Sequence, residues 1–138
     1  MSAPSLDHER RLSFIESIAD LVGCTAPTPL GGQCQPDVVR IDVHRSRLLV
    51  GDAKHSETPS CGATRRRLER YVRMASAWGR VGFIVLFAIC HDRRWEAERW
   101  LELLLDIVNN EASLQPMLAG SACFDQEMTV TWLEVCAA

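Results

Sequence analysis

The chain has 138 residues, of which 47 % are hydrophobic and 24 % are charged, and its formal net charge at pH 7 is −3. This is the composition of an ordinary globular chain, and the length predicts one domain over residues 1–138 with a core of its own. No apolar run reaches the roughly 18 residues of a membrane span, and no secretory signal is visible. We therefore expect a cytoplasmic protein without a membrane partner. The six cysteines have no C-x-x-C spacing and are predicted to be free thiols.

Apolar residues recur at helical spacing in three segments of the chain. The predicted helices are Leu6–Val22, Gly62–Trp78 and Trp95–Asn109. A glycine follows each of the first two, Gly23 and Gly79, as is common at helix ends.

Strands are predicted between and after these helices. Pro36–His55 has the pattern of two antiparallel strands joined by a short turn, and Val81–Cys90 is apolar on both faces, as in a covered central strand. Glu127–Val135 is the last predicted strand. The Pro- and Gly-rich segment 23–36 leaves room for one short strand, and Asn110–Asp125 is predicted to be a loop. This order predicts an α/β fold, a three-layer αβα sandwich around a mixed central sheet.

The predicted hairpin carries an unusual group of charges. With its turn centred on Arg45-Ser46, the hairpin pairs Val39 with Asp52 and Asp37 with Lys54. Directly opposed residues share a face of the sheet, so one face is apolar near the turn and holds Asp37, Asp52 and Lys54 at its open end. Burying two carboxylates and an ammonium is costly unless they bind something, and a divalent metal is the natural candidate.

The basic residues are unevenly distributed. Residues 40–80 hold ten basic and four acidic groups, although the whole chain is acidic, which by itself argues mildly against nucleic acid. Lys54 is the only lysine beside 14 arginines, which suggests that its position needs a compact ammonium. Arg66, Arg70 and Arg73 share one face of the second helix. They form either a solvated face or a phosphate-binding stripe.

Pro36-Asp37, fourteen residues and then Asp52-Ala53-Lys54 resembles the motif of the PD-(D/E)xK nuclease superfamily, also called restriction-endonuclease-like. The resemblance covers about residues 7–90. It implies a core of helix, three strands, helix and strand (αβββαβ), to which this chain would add a C-terminal helix and strand.

The resemblance also implies a function and a set of ligands. It implies a metal-dependent endonuclease that hydrolyses DNA, with Mg²⁺ or Mn²⁺ held by Asp37, Asp52 and the main-chain carbonyl of Ala53. Lys54 would position or help to activate the attacking water. Many members add a glutamate from the first helix, for which Glu16 is the best candidate here, with Glu9 and Asp20 as alternatives on the same helix. Arg66, Arg70 and Arg73 would then contact the DNA.

Two other functions remain open from the sequence. The chain can be a catalytically inactive relative that binds nucleic acid or another protein, or a hydrolase that uses His55 or His91-Asp92. At this length we expect no separate recognition domain, so specificity would need a homodimer, a partner subunit or a structural feature of the nucleic acid.

Overall fold

The computed structural model describes residues 6–28, 35–55, 57–78, 83–92, 94–111, 113–124 and 128–137. These residues form an α/β fold with three α-helices and one mixed sheet of six strands. In chain order the elements are α1 (Leu6–Leu21), β1 (Ala26–Pro27), β2 (Val38–Asp42), β3 (Arg47–Ala53), α2 (Gly62–Trp78), β4 (Ile84–His91), a 3₁₀ turn (Arg94–Glu96), α3 (Ala97–Asn109), β5 (Leu114–Cys123) and β6 (Thr129–Ala137).

The strands lie side by side in the order β1-β2-β3-β4-β6-β5. β1, β2 and β3 form an antiparallel meander, and β3 continues to β4 in parallel, as expected for strands joined through a helix. β6 is antiparallel to both β4 and β5. The carboxyl ends of β3 and β4 therefore meet at one edge of the molecule, together with the start of β2.

Helices cover both faces of the sheet. On one face, Ile15, Ile18 and Ala19 of α1 pack against side chains such as Leu49 and Leu86. On the other face, α2 and α3 pack against a larger apolar cluster, whose buried residues include Leu48, Val50, Leu68, Tyr71, Phe87, Trp100, Leu104 and Leu133. The predicted three layers are thus present in the described residues.

Two glycines explain how α1 meets the sheet. Gly23, at φ +83°, ends the helix in a left-handed turn, in which Cys24 N–H donates to Ala19 O at 2.9 Å and Gly23 N–H donates to Asp20 O at 3.2 Å. Gly51 lies under the helix, where a Cβ atom would overlap the side chain of Ile15. The missing side chain at position 51 therefore allows α1 to approach β3 closely.

Three predictions about the elements need correction. Asn110–Asp125 is not a loop, because it contains the ten-residue strand β5, so the chain adds a helix and two strands after β4. The hairpin turn spans residues 43–46, with Ser46 at φ 54°, and the strand register differs by two residues from the predicted one. The apolar strand is Ile84–His91, and its predicted first residues, 81 and 82, lie outside the described residues.

None of the helices within the described ranges combines the length and the apolarity that crossing a membrane requires.

Candidate active site

The register of the hairpin brings the two aspartates of the motif together. Val38 pairs with Gly51, so Asp37, the residue before β2, lies opposite Asp52 rather than opposite Lys54. Ala53 N–H donates a hydrogen bond to Asp37 Oδ2 at 2.8 Å, and Asp37 N–H donates to Asp52 Oδ1 at 3.4 Å. A shift of two residues keeps every side chain on its face, so the predicted grouping holds although the predicted pairs were wrong.

Lys54 completes the group from inside the protein. Its side chain is only 2 % exposed, and Nζ lies 2.5 Å from Oδ2 of Asp52, which is 3 % exposed. The backbone holds this position, because Lys54 N–H donates to Cys90 O of β4 at 2.8 Å. The predicted Asp37, Asp52 and Lys54 are thus together at the carboxyl end of β3.

The surroundings of Asp52 disfavour its charged form. Burial against apolar side chains of α2, such as Leu68 and Tyr71, is the largest cause that raises its pKa, to about 7, and the neighbouring carboxyl group of Asp37 adds to the rise. The ammonium of Lys54 acts in the opposite direction and does not cancel these effects. A further positive charge beside the two carboxylates would therefore be stabilising.

The donor set fits a hard divalent cation. Asp52 Oδ2 is buried and accepts no hydrogen bond of regular geometry, despite the ion-pair contact with Lys54, and Asp37 is exposed to solvent. N–H and C=O of a strand residue point to the same side, so the Ala53 carbonyl is expected on the side of Asp37. No three His, Cys, Asp or Glu side chains of the described residues gather into a metal-binding group. Two carboxylates, one carbonyl and solvent are ligands that Mg²⁺ accepts.

Glu16 is not brought to this group. It lies on α1, which covers the face of the sheet opposite to Asp52, and its Oε1 accepts a hydrogen bond from Arg40 Nη2 at 2.9 Å. The end of α1 that reaches the carboxyl ends of β3 and β4 is its first turn, two turns before Glu16.

Arg11, in the second turn of α1, also connects the helix to the strand ends, and it is not among the predicted site residues. Its side chain is 6 % exposed, and its guanidinium donates to Lys54 O at 2.7 Å and to Asp7 Oδ2 at 2.9 Å and forms an ion pair with Asp92. The signal was present in the sequence, because Arg11 precedes Ile15 and Ile18 by four and seven residues and so occupies the buried stripe of α1.

Two histidines lie next to this contact. His8 Nδ1 and His55 Nε2 are 2.9 Å apart, and His55 Nδ1 lies 3.4 Å from Asp7 Oδ2. The ring centroids are 5.1 Å apart and the planes differ by 22°, as in a hydrogen bond between two imidazoles lying edge to edge. The pair fastens the loop after Lys54 to α1.

His91 and Asp92 contact different partners. His91 is 2 % exposed, its Nε2 lies 2.7 Å from Thr131 Oγ1, and its ring packs against Trp100. Asp92 is engaged with Arg11. Both residues have structural partners, which gives no support to the histidine-based hydrolase.

The predicted arginine stripe lies on the surface of α2. Arg66, Arg70 and Arg73 are exposed, whereas Arg65 forms an ion pair with Asp106 of α3. An open cleft of about 450 Å³ lies between the two helices and the loop that precedes α2. The cleft is lined by Arg65 and Asp106 but not by the stripe, which is accessible to a ligand because its three arginines are exposed.

Comparisons with protein-family models, with curated protein sequences and with solved structures gave no match to this chain.

Proposed function

We propose that this protein is a metal-dependent phosphodiesterase that hydrolyses DNA as an endonuclease. The observation that carries the proposal is the juxtaposition of Asp37 and Asp52 with the buried Lys54 at the end of β3. Two neighbouring carboxylates and a buried ammonium at one strand end match the needs of phosphodiester hydrolysis, in which negative charge increases at the phosphoryl oxygens.

The order of the elements supports the same proposal. α1, the meander β1-β2-β3, α2 and the parallel strand β4 follow the αβββαβ order of the PD-(D/E)xK superfamily. The two motif strands are neighbours, and the motif residues lie at the end that the superfamily uses. A restriction-endonuclease-like core is therefore our proposal for the fold of residues 6–91.

Each residue of the site has a part in the proposed reaction. Asp37, Asp52 and the Ala53 carbonyl would hold Mg²⁺ or Mn²⁺, which when bound neutralises the phosphate and lowers the pKa of water. Lys54 orients the attacking water and stabilises the charge of the transition state. Arg11 positions Lys54 through the Lys54 carbonyl, and the exposed Arg66, Arg70 and Arg73 attract the DNA backbone.

The sharpest test uses Asp37→Asn. Asp37 is exposed, and an asparagine Oδ1 can still accept the hydrogen bond from Ala53 N–H, so the variant should fold like the wild type. We expect the purified wild type to cleave at least one form of DNA with Mg²⁺ or Mn²⁺. The variant should be slower by on the order of 10²-fold or more, because a metal ligand is lost.

Asp42→Asn is the matched control for this experiment. Asp42 lies at the other end of β2, and its Oδ1 accepts a hydrogen bond from Arg45 N–H at 3.2 Å, a contact of the same kind. This control should cleave like the wild type. Linear, nicked, branched and single-stranded DNA, with RNA beside them, should be tried. If the wild type cleaves none of them with either metal, the proposal is wrong.

One observation favours a second function, that of a catalytically inactive subunit that binds nucleic acid or protein. Lys54 Nζ contacts Asp52 Oδ2 without a metal, as in a structural ion pair. Calorimetry separates the two functions. The enzyme requires Mn²⁺ binding that Asp37→Asn abolishes, whereas the inactive subunit binds DNA through Arg66, Arg70 and Arg73 without binding the metal.

A further inference from the structure

The two edges of the sheet differ in their protection against pairing with another chain. At one edge β1 has only two residues and ends in Pro27. Short edge strands and prolines are common means of preventing unwanted pairing. At the other edge β5 has ten residues, and β6 is its single strand neighbour within the described part of the chain. The β1 edge is therefore poorly suited to pairing with another strand, whereas the β5 edge is long enough to pair.

β5 also lacks the charges that usually protect an edge strand. Its sequence, L-Q-P-M-L-A-G-S-A-C, contains no Lys, Arg, Asp or Glu. Met117 and Leu118 are 54 % and 65 % exposed, so apolar side chains lie in solvent beside a backbone edge that no other described strand pairs with. A long, uncharged and partly apolar edge strand is a template for another strand.

The first part of β5 is irregular, which limits where a second strand can pair. Pro116 has no N–H group, and a register shift between Pro116 and Leu118 leaves Met117 without a partner in β6. From Leu118 to Cys123 every residue pairs in sequence with β6. These six residues therefore have a regular extended backbone, in which alternate residues direct their N–H and C=O groups away from β6.

The chain holds this segment firmly in place. The indole of Trp132 on β6 lies over Gly120, where a Cβ atom on residue 120 would overlap it. β5 is thus held in place by β6 although most of its side chains are exposed. Because its backbone is already ordered, β5 would lose little conformational entropy on pairing with another strand.

We propose that two copies of this chain form a dimer by antiparallel pairing of Leu118–Cys123 with the same segment of the second copy. An antiparallel pair of identical strands offers the same donors and acceptors from each side, so the edge is its own complement about a twofold axis. Each chain has a net charge of −3, and an uncharged strand lets two such chains approach without repulsion at the contact. The two sheets then continue as one, and Leu118 is covered by the partner's strand.

Light scattering after size-exclusion chromatography tests the proposal on the full chain. We expect the wild type at micromolar concentration to have twice the mass of the 15.5 kDa monomer. Leu118→Lys and Ser121→Glu each place a charge in the pairing segment and should give monomers. Leu21→Lys is the matched control, because Leu21 is an exposed leucine on α1, at 81 %, and its replacement should leave the dimer intact.

Two further readouts keep the result unambiguous. Far-UV circular dichroism and thermal unfolding of the dilute proteins should show that both β5 variants fold like the wild type, since both side chains lie on the surface. Amide hydrogen exchange in residues 118–123 should slow as the wild-type concentration rises. A wild type that is monomeric at every concentration would overturn the proposal, as would a dimer that both charged variants leave unchanged. Neither result depends on whether the protein cleaves DNA.

Discussion

Asp52 has two charged neighbours with opposite effects on its own charge. Lys54 lies 2.5 Å from Oδ2 and favours the carboxylate, whereas burial and the carboxyl group of Asp37 favour the protonated form. The second influence is larger, so the pKa of Asp52 is raised from 3.8 to about 7. A protein without bound metal thus carries a site that is only partly ionised near neutral pH.

The raised pKa of Asp52 predicts how the free energy of unfolding depends on pH when a chelator keeps the protein free of metal. The unfolded chain releases the Asp52 proton near pH 3.8, whereas the folded chain retains it up to about pH 7. The folded state therefore binds more protons in this interval, and its free energy of unfolding should fall as pH rises from about 4 to about 7, by on the order of a few kcal/mol. Urea unfolding in EDTA at several pH values measures the change.

The control for the pH profile removes both buried charges. In the double variant Asp52→Asn, Lys54→Met, the titrating group is absent and no ammonium is left unpaired in the core. We expect the downward slope between about pH 4 and pH 7 to disappear in this variant. An identical slope in the wild type and the double variant would show that Asp52 is not the group responsible.

The single residues also mark the limit of sequence reasoning. Asp37, Asp52 and Lys54 were predictable, because the period of two along a strand fixes which side chains share a face. Glu16 was not placed correctly by the same kind of argument. A helical period gives the face of a residue, but it does not say which end of the helix reaches the strand ends. Arg11, in the second turn of α1, reaches them instead.

At the scale of elements, α1 packs on the face of β3 opposite to Asp52 and helps to fix the position of the site. Gly51 precedes Asp52, and Ile15 occupies the space that a side chain at position 51 would need. Any displacement of the helix would move Arg11 and its hydrogen bond to the Lys54 carbonyl. The contact between Gly51 and Ile15 therefore joins the core of the protein to the position of Lys54.

Gly51→Ala should thus destabilise the protein and weaken the site together. The added methyl group overlaps Ile15, and overpacking of this kind typically costs about 1–3 kcal/mol of unfolding free energy. Gly62→Ala is the control, because a Cβ atom at this exposed start of α2 would meet only Arg66 Nη1 at 3.5 Å. Urea denaturation should separate the two variants. Equal stability would contradict the close packing of α1 on β3.

β5 shows why one element could not be predicted. Buried strands were found by their apolar pattern, as in Ile84–His91, but β5 is an edge strand whose side chains are exposed on both faces. Without a buried face there is no alternation to detect, and Pro116 and Gly120 favour a loop in a sequence-based reading. The backbone of β5 nevertheless pairs with β6. The missing N–H group of Pro116 is tolerated because this residue lies next to the register shift of an edge strand.

At the scale of the whole molecule, the sheet topology places the candidate site residues at one end of its central strands. The parallel pairing of β3 and β4 and the antiparallel entry of β2 bring together residues from distant parts of the chain, Asp37, Lys54 and Asp92 among them. α2, the helix with the exposed Arg66, Arg70 and Arg73, starts eight residues after Lys54. The order of elements was predictable from the sequence, whereas the register and the edge strand needed the structure.

The most direct test of the proposed centre is a crystal structure of the wild type grown with Mn²⁺, read by anomalous scattering. We expect an anomalous peak between the carboxylates of Asp37 and Asp52, within coordinating distance of the Ala53 carbonyl, with Lys54 still beside Asp52. A crystal of Asp37→Asn grown with the same salt should lack the peak. If wild-type crystals at saturating Mn²⁺ show no anomalous peak between Asp37 and Asp52, or show the metal only elsewhere, the assignment of this strand end as a metal-dependent nuclease centre is contradicted.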